Sequence, residues 1–431
     1  MRVLSALMFF PRGGSAHVAR ALAAALPAHG WDVTLVSGSR SGHGDARAFY
    51  AGLDVHAVDF DAGDAPMHPS YEDRPDAPDR VFAAVDDAEH ERHVDAWADA
   101  LTEAGAAGHD VLHLHHLTPM HEAAAQVAPG VPVITHLHGT ELLMLEAIAD
   151  GAPWPYAERW ARRMRRWAQD SERLLVLSPS QIDRAVRLLG IERSRCVVSP
   201  NGFDPERFDR LEVDRAALWR RHLVDEPRGW RPGGAEGSVR YAAHDIAPLA
   251  RGPVVLSVSR FTAVKRLPLL IRAWARATPD LPDDAGLVLL GGYPGEWEGE
   301  HPCDAIAAGG ARNVFLAAGD ALALASVREQ FGSVLVEAMA CGLPAIAVNR
   351  FGPAEIVDDG RTGWLVEPDD EAALARALVD CLGDAAERRR RGVRAWHAAR
   401  ERFSWPAIAG TLAAVLDEVA DVADGRLAAP A

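Results

Sequence analysis

Short apolar runs separated by helical stretches recur along this chain, stop, and start again. That double alternation limits the fold more than any other feature. In the first half the runs fall at 2–10, 32–37, 52–60, 110–115, 131–138 and 173–178. Each is too short for a buried helix and is bounded by Gly, Pro, Asp or Ser, the pattern of a strand covered on both faces. Ala- and Leu-rich stretches such as 17–29, closed by Gly30, supply helices between them. The stretch 81–108 also predicts a helix, and 61–80, rich in Asp, Pro and His, a long loop. Residues 203–252 break the rhythm with clustered charges and the Pro- and Gly-rich run 227–234, which reads as a linker and insertion. Strands then return at 253–259, 286–292, 321–326, 344–348 and 364–366, with helices at 268–277, 334–340, 369–402 and 405–422. Strand–helix–strand repeats make parallel sheets. The expected fold class is therefore α/β, two Rossmann-like doubly wound domains facing a cleft, 1–202 and 253–404.

The chemically richest stretch runs from Glu329 to Gly342. An apolar run at 321–326 precedes it, and the turn Phe331-Gly332-Ser333 opens a helix in which Ser333 is the expected N-cap. A helix N-terminus offers unpaired amides and a partial positive charge to an anion, and Gly332 lets a ligand approach the backbone. Glu329 lies just before this turn and Glu337 about one helical turn after it. Carboxylates repel phosphate and bind hydroxyls. A ligand with phosphate in the middle and hydroxyls at both ends fits, as a nucleotide diphosphate sugar does. Taken alone, the two glutamates equally fit one solvated side chain and one that answers the helix dipole.

The first strand–helix turn carries Gly13-Gly14 without matching the GxGxxG dinucleotide fingerprint. It fits either a tight turn or a floor where a ligand meets a helix. Two strands end in His-x-His, at His113/His115 and His136/His138, each pair on one strand face. Such pairs fit a metal site or a cleft that binds hydroxyls and phosphate; no spaced Asp or Cys supplies further ligands, so no metal is expected. Asp59-Phe60-Asp61 is likewise too isolated to hold a cation. In the stretch 154–174, five arginines surround Trp160, Met164 and Trp167 at helical spacing. This is the pattern of a surface helix with a core stripe, and it leaves peripheral membrane contact open. A formal charge of −16 argues against nucleic acid as a partner. Four scattered cysteines fit a reducing compartment, hence the cytoplasm, and the apolar run at 3–10 is too short to span a membrane.

Five segments together resemble the retaining glycosyltransferases of family 4, which have the GT-B fold. They are 11–14, 136–141, Ser199-Pro-Asn-Gly-Phe-Asp204, Ser259-Arg-Phe-Thr-Ala-Val-Lys265, and the Glu-x7-Glu of Glu329 and Glu337. The resemblance covers nearly the whole chain. It implies a hexosyltransferase that takes a UDP- or GDP-sugar as donor and needs no cofactor, with an acceptor that is a sugar, a lipid or a small molecule. It implies that the first domain serves the acceptor and the second the donor, and that the helix 405–422 rejoins the first domain. Arg260 and Lys265 would hold the diphosphate, helped by amides around Gly332, Ser333 and Val334, with Gly291 and Phe331 also at the donor. Glu337 would bind ribose, Glu329 the sugar, His138 would lie near the reacting carbon, and Gly13 and Gly14 would approach the diphosphate. The catalytic set is then His138, Glu329, Arg260 and Lys265.

Three departures accompany the likeness. The segment Asn313-Val-Phe-Leu316 is followed almost at once by Ala317-Ala-Gly-Asp320, where family members carry a longer connection. Arg266 follows Lys265 where Gly is commoner, and 203–252 is inserted. The alternatives are a GT-B phosphorylase or epimerase, a GT-B binding protein without turnover, and a His-based metallohydrolase. Cytoplasmic placement extends to the inner membrane face if 154–174 makes its contact.

Overall fold

The computed structural model describes residues 1–8, 14–39, 46–59, 70–71, 80–292, 300–302, 305, 314–315, 319–423 and 425. The chain forms two compact units, Met1–Gly202 with Trp405–Ala431, and Phe203–Ser404.

The first unit is built on seven strands: β1 (Arg2–Leu7), β2 (Asp32–Ser39), β3 (Asp54–Asp59), β4 (Val111–His115), β5 (Val133–His136), β6 (Arg173–Val176) and β7 (Cys196–Val198). Their order is β3-β2-β1-β4-β5-β6-β7, and every pair is parallel. The order reverses between β1 and β4, the place where doubly wound sheets bind ligands. In the β4–β5 register His115 lies opposite His136. One face packs on Trp97, Leu142, Trp160, Met164 and Trp167. The other is covered by the C-terminal helix Trp405–Ala423, whose Ile408, Leu412 and Leu416 meet Val3, Val111, Ile134 and Leu175. Trp31 Nε1 donates to Asp417 Oδ1 at 2.9 Å, and Arg173 pairs with Glu418.

In this unit one expectation is corrected and the preferred reading of another stretch is borne out. The helix expected over 81–108 is confined to Asp87–Glu103. Asp86 starts it by accepting from the Glu89 amide at 2.8 Å, which places the boundary after the short 3-10 turn Phe82–Ala84; a second such turn, Ala106–Gly108, follows the helix. In the helix Ala157–Asp170 the aromatic stripe is core, with Trp160 and Trp167 each 2% exposed. Arg159 and Arg163 pair with Asp87, and Arg166 with Glu122. The aromatic face needed for membrane contact is therefore spent inside the protein. Among the described residues no helix is long and apolar enough to cross a membrane.

The second unit has six strands: β8 (Val254–Val258), β9 (Gly286–Leu290), β10 (Val314–Phe315), β11 (Ala321–Leu324), β12 (Ala345–Val348) and β13 (Gly363–Val366). The order β10-β9-β8-β11-β12-β13 is again wholly parallel and reverses between β8 and β11. Residues 203–252 fold onto this unit. Trp219 Nε1 donates to Leu249 O at 3.0 Å, Arg215 pairs with Asp320 at 3.1 Å, and Trp230 stacks on Phe261 at 5.6 Å. The shortened connection noted at 316–319 lies outside the described residues except for Gly319.

Candidate functional site

In the second unit the residues singled out by sequence gather where β8 and β11 end side by side. Arg260 follows β8 and is exposed. Lys265 closes the turn Ala263–Lys265, and its Nζ makes an ion pair with Glu329 Oε2, both side chains about four-fifths covered. The Val327 amide donates to Val264 O at 3.1 Å, tying the two loops together. Glu329 is thus joined to the cation expected to hold phosphate, a pairing that a separation of 64 positions conceals in the sequence.

The helix Ser333–Ala340 begins as expected but is capped by Gly332, with φ of 102°, and not by Ser333. No side chain caps it, because Ser333 already occupies the first helical position. The first-turn amides, Ser333 and Val334 among them, have no carbonyl one turn earlier and are left for an anion. Phe331 is buried with its ring edge toward Phe403 at 5.9 Å, and Gly352 approaches so closely that a Cβ there would lie 2.1 Å from Phe331 O. That packing fixes the turn carrying Gly332. Glu337 is half-buried, and burial raises its carboxyl above the usual value while the charge of Arg207 acts against the rise. Sequence reasoning missed Arg207, although it lies three residues beyond the segment 199–204.

Gly291 has φ of 121°, and a Cβ there would sit 2.1 Å from Ser259 O, so the end of β8 demands glycine. Gly291 also lines a cavity of about 380 Å³ whose other walls include His222, Leu223, Trp230 and Tyr241. Those walls come from 203–252, so the inserted segment shapes the space beside the glycine pair. Arg266, at the position where glycine is commoner, has the left-handed φ of 54°. It is held there by Nη1 donating to Ala263 O at 3.0 Å and by Nε donating to Asp369 Oδ1 at 2.8 Å.

In the first unit Gly14 precedes the helix Ser15–Ala25 with an ordinary φ of −71°, and a Cβ there would meet no described atom within 4 Å. Gly13 lies outside the described residues, as do Phe60 and Asp61 of the acidic motif. His138 follows β5 and is half-buried; its amide donates to Glu141 Oε2 at 3.1 Å, and its Nε2 shares a hydrogen bond with His115 Nδ1 at 3.0 Å. Fully buried Glu141 also bonds His116 Nδ1 at 2.6 Å. An acidic residue beside Gly139 at the start of a helix was the available signal for Glu141. Burial, reinforced by neighbouring imidazoles, holds His138 well below the usual histidine range, so it is neutral at neutral pH. His113, His115 and His136, expected to lack a metal, each place one ring nitrogen within 4.8 Å of the others.

Two family descriptions match the chain. Residues 12–207 match "Glycosyltransferase Family 4" and residues 252–384 match "Glycosyl transferases group 1". Together they take in most of the sequence. The chain belongs to the family 4 glycosyltransferases. This removes the metallohydrolase as a description of the enzyme. An N-acetyl-alpha-D-glucosaminyl L-malate synthase of Bacillus anthracis is 25% identical over 309 residues, 68% of this chain and 71% of the relative. A D-inositol 3-phosphate glycosyltransferase of Nocardia farcinica is 31% identical over 296 residues, 64% of this chain and 58% of the relative. The crystal structure of Anabaena HepE with UDP and glucose superposes with a TM-score of 0.66 at 19% identity, over 97% of this chain and 99% of that one. That likeness supports the two-domain GT-B fold.

Proposed function

We propose that this glycosyltransferase takes a nucleotide diphosphate sugar as donor and transfers the sugar with retention at the anomeric carbon. The observation that carries the reading is the convergence of Lys265, Glu329 and the Gly332-capped helix at the switch point between β8 and β11. Arg260, Lys265 and the helix amides would hold the diphosphate and stabilise the charge that develops as it leaves. Glu337 would accept from the ribose hydroxyls. Glu329 would bind the sugar hydroxyls and, through its ion pair, aim Lys265 at the phosphate. Fixed cations at this place make a divalent metal at the diphosphate unnecessary. In the first unit, neutral His138 would exchange hydrogen bonds with the reacting sugar. Gly14, which no described contact obliges to be glycine, suits a close approach of ligand to backbone.

The names of the two relatives contain malate and inositol 3-phosphate, both small hydroxylated anions. An acceptor of that class is therefore the first to test. UDP-, GDP- and ADP-sugars are compared by protection against thermal unfolding, since a ligand of the native state raises apparent stability by about 2.7 kcal/mol at a hundredfold excess over Kd. The protective donor is then incubated with L-malate and with inositol phosphate, and the anomeric configuration of the product is read by NMR. An α-donor that gives an α-product supports retention, and an inverted product refutes it. Failure of every nucleotide sugar to protect the chain would refute the donor reading.

A further inference from the structure

We propose that the imidazole cluster at the C-terminal ends of β4 and β5 binds a divalent transition-metal cation of the zinc class through His113, His115 and His136. The chain's topology builds the cluster. His113 and His115 share one face of β4, and the parallel register sets His136 of β5 beside His115. All three are fully buried. Ring centroids lie 4.4 Å apart for His113 and His115, 5.2 Å for His115 and His136, and 5.5 Å for His113 and His136. One nitrogen from each lies within 4.8 Å of the others. A tetrahedral ion that holds nitrogens at about 2.1 Å brings them to about 3.4 Å, so small ring rotations complete the site.

Two further observations point to a cation. Both ring nitrogens of His136 and Nε2 of His113 find no hydrogen-bond partner among the described residues. Buried imidazole nitrogens without partners are costly, and bringing three of them together has no packing logic of its own. An imidazole nitrogen without a hydrogen-bond partner presents a lone pair to a cation. One supporting contact also matches that of a metal site: His115 Nδ1 bonds His138 Nε2 at 3.0 Å, which orients the ring. Ser5 Oγ bonds His115 Nε2 at 3.2 Å and His113 Nδ1 at 3.5 Å, so an ion taken by His115 Nε2 would displace that hydroxyl. Buried Glu141 bonds His116 Nδ1 and the His138 amide, anchoring the histidines beside the cluster. An all-imidazole set excludes magnesium and calcium, which take oxygen. Half-buried His138, stacked on His136 at 4.7 Å, offers the way in.

The site does not depend on the donor reading, because it is tested with metal alone. The full chain is stripped with a chelator, dialysed, and titrated with Zn2+ by calorimetry and with Co2+ by visible absorption. The expected result is one equivalent per chain, a Co2+ spectrum of four-coordinate nitrogen ligation, and a higher thermal midpoint with Zn2+. His113→Phe and His136→Phe should each abolish that equivalent. Exposed His29→Ala should leave it unchanged. No saturable equivalent, or one that survives both phenylalanine variants, overturns the proposal. If those variants do not fold, the unaltered chain decides, because a six-coordinate, water-rich Co2+ spectrum also overturns it.

Discussion

Lys265 is the single lysine in this chain; every other Lys-or-Arg position is Arg. A compositional bias that strong would replace any lysine whose work arginine can do. Lys265 sits mostly covered against Glu329, where a compact ammonium fits and a planar guanidinium is wider. We expect Lys265→Arg to lower kcat by about 10²–10³, the usual effect of losing one well-placed donor to a developing oxyanion, and Lys265→Ala to do at least as much. Steady-state kinetics with the protective donor checks this, and near-full activity in Lys265→Arg would end the point-charge argument. Glu337 gives a second test, in stability. Burial raises its carboxyl above 4.5, so the folded chain holds that proton more tightly than the unfolded one. The stability linked to it is complete below the unfolded value and is lost as pH rises through the folded value. At pH 7 the ionised carboxylate is therefore a net cost. Glu337→Gln should raise the thermal midpoint at pH 7, lose that advantage by about pH 4 where the native carboxyl is protonated, and raise donor KM. A midpoint difference that is the same at both pH values would refute the burial argument.

At the scale of elements, the turn before the helix Ser333–Ala340 is the most constrained. Alanine at Gly332 would have to adopt φ of 102°, with its Cβ 3.1 Å from Leu335 and 3.3 Å from Glu329. Gly332→Ala should destabilise the second unit by about 1–3 kcal/mol and weaken donor protection, measured by denaturant unfolding with and without nucleotide sugar. Arg266 presents the converse case. Its left-handed backbone costs about 1–2 kcal/mol for a side-chain residue. Glycine would relieve that cost, but would lose an exposed ion pair worth about 0–1 kcal/mol and free the unfolded chain. Arg266→Gly should therefore change stability by less than about 1 kcal/mol; a larger loss would mean the Asp369 pair holds the Lys265 loop. These elements also show what a sequence can reveal. Apolar runs and Gly or Pro punctuation announced the strands and the helix 333–340, because burial on both faces writes itself as composition. Gly332 displaced Ser333 as the cap because backbone conformation outranked side-chain preference. The Trp160 and Trp167 stripe looked the same whether turned to core or membrane until its neighbours were known. The Lys265–Glu329 pair and the three-histidine cluster depend on which strands lie side by side, and no local spacing encodes that.

For the whole molecule, the net charge of −16 sets the problem that donor binding must solve. The anionic donor proposed above would meet a repulsive long-range field, so its charge would have to be answered locally. Acidic residues could recruit a divalent ion, or fixed cations could act directly. The acidic candidate begins at Asp59, at the end of β3, the outermost strand of the first sheet, while Phe60 and Asp61 lie outside the described residues. The cationic candidate is concentrated: Lys265, Arg260 and the capped helix follow from β8 and β11, which are neighbours in the second sheet. We expect transfer to continue in EDTA with kcat changed by less than about twofold, because fixed cations need no reloading. The same samples separate this expectation from the histidine site. A chelator that lowers the thermal midpoint of the parent chain and leaves that of His136→Phe unchanged is what a metal bound among His113, His115 and His136 requires. A chelator that abolishes transfer, with recovery on adding Mn2+ or Zn2+, would overturn the metal-free donor site. Carrying out the chelation in both the parent chain and His136→Phe then tells whether the essential ion is the one held by the imidazoles, because only that ion would already be missing from the variant.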